Sequence, residues 1–160
     1  MTNVTKSNRF LFTMTGFREL SYRVQSASLG SVNLGSTPFA TSMANLLVPS
    51  NKVDFSPLSI RVLLSENLDE WMDAVKWSFD MTHINDSHLD TVSEGSVTVL
   101  SANNFPVMSV TYHGLAPISV SQIDFDITQD ETSPTFDLTM SYDSFSITNL
   151  ITGERIVYSD

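Results

Sequence analysis

The chain contains no cysteine. Disulfide frameworks, thiolate zinc sites and cysteine nucleophiles are excluded together, and the redox compartment stays open. Positive charge is scarce: eight Lys plus Arg stand against eighteen Asp plus Glu, a formal net charge of −10 over 160 residues. A surface of that sign repels nucleic-acid phosphates and anionic lipid headgroups. No run approaches the roughly 20 consecutive apolar residues of a membrane helix, and the opening residues, Met1 to Arg9, lack the apolar core of a signal peptide. The expectation is a protein made and used in a cytosol, or in something assembled there, without a membrane partner. With 41% hydrophobic and 16% charged residues the chain is not disordered by composition. At 17.7 kDa it fits one domain spanning residues 1–160 and can bury a core unaided.

Catalytic groups are also in short supply. The histidines are His83, His88 and His113. His83 and His88 stand five apart rather than at the four-residue spacing that sets two ligands on one helical face, so the aspartates around them (Asp80, Asp86 and Asp90) read as a solvated loop. Leu29 to Gly35 lacks the spacing and the following lysine of a phosphate loop, and no G-x-S-x-G elbow occurs. Asp124 and Asp126, or Asp130 and Glu131, resemble paired catalytic carboxylates only in spacing, since nothing nearby separates their pKa values. The sequence does not read as an enzyme, and it calls for no cofactor and no metal.

What the chain does have is alternation of period two. Phe10, Phe12 and Met14 form one face of a first run. Leu20, Tyr22 and Val24 form a second, with Gly16 as the turn between them, which reads as a hairpin or two adjacent strands. Further runs are Ile60, Val62 and Leu64; Val97 and Val99; Met108, Val110 and Tyr112; Ile123, Phe125 and Ile127; and Phe136, Leu138, Met140 and Tyr142. The intervening Ser, Thr, Asp and Gln suit a sheet whose second face meets water or a polar channel. The expected fold is mainly β: a barrel or sandwich of six to eight antiparallel strands.

One segment, about 67–81, has helical spacing instead. Leu68, Trp71, Met72, Val75 and Phe79 recur at three and four residues, Asn67 and Glu70 give a weak capping signal, and Asp69, Glu70 and Asp73 suit the positive end of a helix dipole. Trp77 falls roughly opposite that stripe, so it is either covered by a loop or is a subunit contact. A long loop, 36–57, carries Phe39, Met43, Leu46, Leu47 and Val48 between prolines. It is too apolar for a solvated linker, and reads as a short helix on its own subunit or an arm that packs on a neighbour.

Two stretches carry a resemblance. His113 to Asp126 reads HGLAPISVSQIDFD, and Thr135 to Asp143 reads TFDLTMSYD. Together they resemble the C-terminal half of the tail tube proteins of contractile-tailed bacteriophages, where a G-x-x-P strand ending in F/W-D, a turn and a T-F-x-V/L-T strand close the barrel. Lys52 to Val62 is similar to the strand that leads into that family's single helix, and 67–77 to the helix itself. The likeness runs from roughly Phe10 to Phe145.

The resemblance implies a structural virion protein, with type VI secretion tube proteins as structural relatives. Subunits would form hexameric rings stacked into a tube inside a contractile sheath, with sheath and baseplate proteins as partners. Phage DNA would pass through without specific binding, and assembly would take place in the host cytoplasm. It places Phe39, Met43, Leu46, Leu47 and Val48 in an inter-ring contact, leaves Trp77 as an inter-subunit candidate, and makes Asp124 and Asp126 candidates for acids facing the channel. The chain departs from the pattern by continuing past a core of about 10–145 into a C-terminal extension, 146–160, that would add a strand and a Gly-containing turn. That departure opens a second reading, a ring that initiates the tube on the baseplate. A third is a glycan- or receptor-binding β-sandwich with Trp77 and Tyr112 in a ligand groove.

Overall fold

Antiparallel pairing between segments far apart in sequence builds the protein. The computed structural model describes residues 9–29, 32–40, 45–82, 93–128 and 133–158, with 19, 32–40 and 45–54 described as backbone. Strand β1 (Phe10–Met14) pairs with β6 (Ser93–Leu100), opposing Phe12 to Val97, and β6 pairs with the fifteen-residue β7 (Pro106–Val120). The first part of β7 also pairs with β9 (Ser144–Asn149), which carries β10 (Arg155–Tyr158) on its far side. The last part of β7 pairs instead with β8 (Thr135–Ser141), followed by β5 (Leu58–Leu63) and β2 (Val24–Ser28). The eight strands thus form two groups that share β7. The changeover falls at Gly114, whose φ is +70° and where a Cβ would overlap the Asp143 carboxylate, so glycine is strongly favoured there.

The alternating runs supply the core between the groups. Leu58, Ile60 and Val62 of β5 and Phe136, Leu138 and Met140 of β8 are buried, and they meet Phe12, Met14, Val97, Val110 and Tyr112. Burying each large aliphatic or aromatic side chain contributes about 1.5–3 kcal/mol. Phe55, Tyr142, Phe145 and Tyr158 extend the core as an aromatic cluster, with Phe55 4.5 Å from Tyr158 between ring centroids. The Tyr142 hydroxyl donates to the Ser56 carbonyl, and burial holds its pKa above the ordinary phenol value. The mainly β architecture with one substantive helix agrees with the sequence expectation.

The second run departs from that expectation. Residues 18–22 form a short helix, α1 (Arg18–Tyr22), fixed by Ser21, whose hydroxyl donates to the Phe17 carbonyl and accepts from the Met14 N–H. A helical turn separates Leu20, which is buried, from Tyr22, which is exposed, where a strand would have put them together. Nor do β1 and β2 form a hairpin, since each pairs with a distant strand.

The helix expected at 67–81 is present as α2 (Asp69–Thr82), turned about its axis. Its buried face is Glu70, Ala74 and Trp77, whereas Met72 and Phe79 of the anticipated apolar stripe are exposed. The cause is a carboxylate. Glu70 accepts hydrogen bonds from the Ser65 N–H (3.1 Å) and hydroxyl (2.9 Å), and pairs with the Arg23 guanidinium at 2.9 Å. Desolvation alone would raise its pKa. The Ser65 bonds, its own backbone N–H and the Arg23 charge outweigh that and hold it below the ordinary carboxylate value. With Glu70 drawn inward, Trp77 follows at i+7 and packs on Phe17, ring centroids 4.9 Å apart.

The segment read as a long loop is mostly strand. β3 (Val32–Ala40) and β4 (Asn45–Phe55) form a separate two-stranded antiparallel sheet, with a register shift between Leu34 and Ser36. The C-terminal extension is a hairpin built into the larger sheet. Ser146 is buried, Gly153 takes φ +78° at the turn, and Asn149 Oδ1 accepts the N–H groups of Ile151 and Thr152.

Candidate assembly surface

The group β7–β8–β5–β2 has two free edges among the described residues. β2 pairs only with β5, and β7 beyond Pro117 pairs only with β8. One face of this four-strand sheet is the core. The other follows from the register: Ser26 opposite Arg61 opposite Asp137 in one row, and Ser28, Ser59, Thr139 and Ser119 in the next. Thr135 and Ser141 lie on the same face of β8 and Leu63, opposite Thr135, on that of β5, so the face is mostly hydroxyl, with Ile118 exposed at the bulge on the β7 edge. The four strand segments hold two charges, Arg61 and Asp137, and Arg61 Nε donates to Asp137 Oδ1 at 3.0 Å. That bond, with the Asp137 charge, holds the Arg61 pKa above its ordinary value.

The chain's acidity therefore lies elsewhere. Asp69, Asp73 and Asp80 are exposed on α2, and Asp124 and Asp126 are exposed in an irregular loop. The alternation of Ile123, Phe125 and Ile127 does not form a strand, and Phe125 and Ile127 are exposed. Asp126 accepts from the Thr128 hydroxyl and N–H, which lowers its pKa, and Asp124 accepts from Gln122 Nε2 at 3.0 Å. The two acids thus sit in a local turn, off the strand face where the alternation had set them.

Of the other sequence candidates, Trp77 is buried in its own subunit. Tyr112, only 2% exposed, is core as well, while the edge of Trp77 borders a shallow depression of about 220 Å³ beside Gly16, Phe17, Asp73, Lys76 and Asp80. Phe39 opposes Leu46 across the β3–β4 ribbon, Pro38 opposes Leu47 and Thr37 opposes Val48, while Met43 lies outside the described residues. Outside them too are His83, His88, Asp86, Asp90, Asp130 and Glu131. Among the described residues no three His, Asp or Glu side chains gather to hold a metal. His113 Nδ1 lies 3.6 Å from Glu94 Oε2 on the surface. A depression of about 290 Å³ beside β1 and β6 is lined by Thr13, Glu94, Ser96 and Thr111, where the Thr13 and Ser96 hydroxyls bond each other at 2.8 Å.

Sequence reasoning missed the Arg61–Asp137 pair and the hydroxyl rows around it. The signal was present in the residues between the apolar positions of β5 and β8, which alternate Ser59, Arg61 and Asp137, Thr139.

No family model matches the chain, and no curated protein does. Solved structures do. A chain of the anti-feeding prophage baseplate is 14% identical with a TM-score of 0.69, covering 94% of this chain and 99% of that one. A chain of the extended sheath–tube complex of an extracellular contractile injection system, PVC, is 12% identical with a TM-score of 0.69, covering 92% and 93%. Hcp1 from Salmonella typhimurium is 12% identical with a TM-score of 0.55, covering 92% and 90%. At such identities the likeness is one of fold.

Proposed function

This chain has the tail tube fold of contractile injection systems, and from that premise we propose that it is a tube subunit, assembling as hexameric rings stacked inside a contractile phage sheath. The observation that carries the reading is the four-strand sheet, both of whose edges are unpaired among the described residues. Unpaired edges invite pairing with another chain, and closure into a ring removes them. On its core side the sheet is backed by the rest of the subunit, including α2 and the other strand group. Six such bulks do not fit within a bore, so the hydroxyl face turns inward. Six copies of four strands, spaced about 4.8 Å apart, close a barrel about 37 Å across between backbones before strand tilt widens it. Side chains about 5 Å deep on either side leave a passage of about 27 Å. The β3–β4 ribbon, a sheet of its own anchored to the core at Phe55, would supply the contact to an adjacent ring.

A second reading, a ring occurring once at the baseplate, draws support from the likeness to a baseplate chain. Cysteine cross-linking tests the shared premise, because the native chain has no thiols to interfere. Ser28→Cys combined with Ser119→Cys, or Ser26→Cys with Ser119→Cys, places a thiol at each free edge. Mild oxidation of assembled protein should give a ladder ending at six subunits. Oxidation that yields monomers alone, at protein concentrations where rings are seen, would refute edge-to-edge closure.

A further inference from the structure

The neutrality of the inward face calls for its own explanation in a chain of net charge −10. β2, β5, β8 and the last part of β7 contain one cation, Arg61, and one anion, Asp137, set opposite each other in register and hydrogen-bonded at 3.0 Å. Both side chains are about half exposed, so the pair is screened and adds little to stability. Its consequence is electrostatic: a guanidinium that would otherwise face the lumen meets a carboxylate before it meets anything passing. The flanking Ser26, Ser28, Ser59, Ser119 and Thr139 offer hydroxyls and no charge.

Resting on the tube reading, we propose that Asp137 cancels Arg61 so that the bore wall presents no free cation to DNA in transit. Without Asp137 each ring would expose six guanidiniums, and every further ring would repeat them. Each phosphate so contacted releases counterions, and the logarithm of the binding constant falls by about 0.9 per phosphate for each tenfold rise in salt. Six simultaneous contacts make retention about 10³-fold stronger at about 50 mM than at about 200 mM salt. A wall of that kind holds the polymer it has to release, whereas a paired wall lets it slide.

The test compares wild type, Asp137→Asn and the double variant Arg61→Gln/Asp137→Asn. Each is assembled in the presence of a short labelled DNA duplex, checked for tubes by negative-stain microscopy, treated with nuclease and pelleted. Asp137→Asn tubes should retain protected DNA at about 50 mM salt and lose it by about 200 mM. Wild-type and double-variant tubes should retain none at either. Asp137→Asn tubes that pellet without DNA, or wild-type tubes that retain as much, overturn the proposal. If Asp137→Asn does not assemble, Ser59→Arg adds an unpaired cation one row away and must give the same salt-dependent retention, and its failure to do so is equally decisive. Wild-type protein that forms no tubes is a different result, and it overturns the assembly reading beneath the proposal.

Discussion

Replacing Glu70 with glutamine should destabilise the isolated subunit by about 2 kcal/mol at neutral pH. The carboxylate is 2% exposed, and both its oxygens are in use: Oε2 accepts from the Ser65 N–H and hydroxyl, and Oε1 faces Arg23 Nε. Glutamine has one oxygen for these two tasks, and its amide nitrogen must point either at the Ser65 donors or at a guanidinium. A buried donor without an acceptor costs about 1–3 kcal/mol, and breaking a fully buried ion pair about 3–5. Arg23 is 39% exposed, so water recovers part of its loss and the lower range applies. Urea unfolding of dilute monomer measures this as a shift in midpoint at unchanged m. The pH dependence gives a second check. The folded-state pKa of Glu70 is depressed, so its contribution is fully present above the unfolded value of about 4.3 and is lost as pH falls through the folded value. The gap between wild type and Glu70→Gln should therefore close in acid. A variant within about 0.5 kcal/mol of wild type at pH 7, or a gap that widens in acid, would refute the claim that this carboxylate sets the rotation of α2.

Trp77→Ala should destabilise the monomer by about 3–5 kcal/mol in a melt run below the assembly concentration, because the ring lies in the subunit's own core. A pure subunit contact would leave the monomer melt unchanged. Gly114→Ala should lower stability by about 1–3 kcal/mol, since φ +70° is strained for alanine and its Cβ overlaps the Asp143 carboxylate. Asp143→Gly in the same chain should relieve the overlap and recover part of the loss, as thermal unfolding will report. Phe39→Glu and Leu46→Glu, at facing positions of the β3–β4 ribbon, should leave the circular dichroism and melting of the monomer intact while microscopy shows unstacked rings. Unfolding instead would place both residues in the subunit's core.

The strands legible in the sequence were those whose apolar faces are buried by partners within the chain. Ile60 and Val62 in β5, Phe136, Leu138 and Met140 in β8, and Val110 and Tyr112 in β7 alternate because one face meets the core. Ile123, Phe125 and Ile127 alternate just as cleanly, yet no described strand pairs with them, so period alone did not make a strand. Leu20 and Val24 fit spacings of two and of four equally well, and the Ser21 bonds that resolve 18–22 into a helical turn depend on the backbone of residues 14 and 17. The rotation of α2 was hidden for a similar reason: hydropathy assigns a glutamate to water, and the partners that keep Glu70 inside come from outside the helix. The hydroxyl face was half legible. Polar alternation marked the face, but the cross-strand register that joins Arg61 to Asp137, 76 residues apart, is a tertiary fact.

Electron microscopy of concentrated, purified protein tests the central claim most directly. The account predicts six-fold rings, stacked into tubes, whose lumen is walled by the β2, β5, β8 and β7 strands with Arg61 and Asp137 inside. A chain that stays monomeric at every concentration, or rings with those strands on the outer surface, would contradict it.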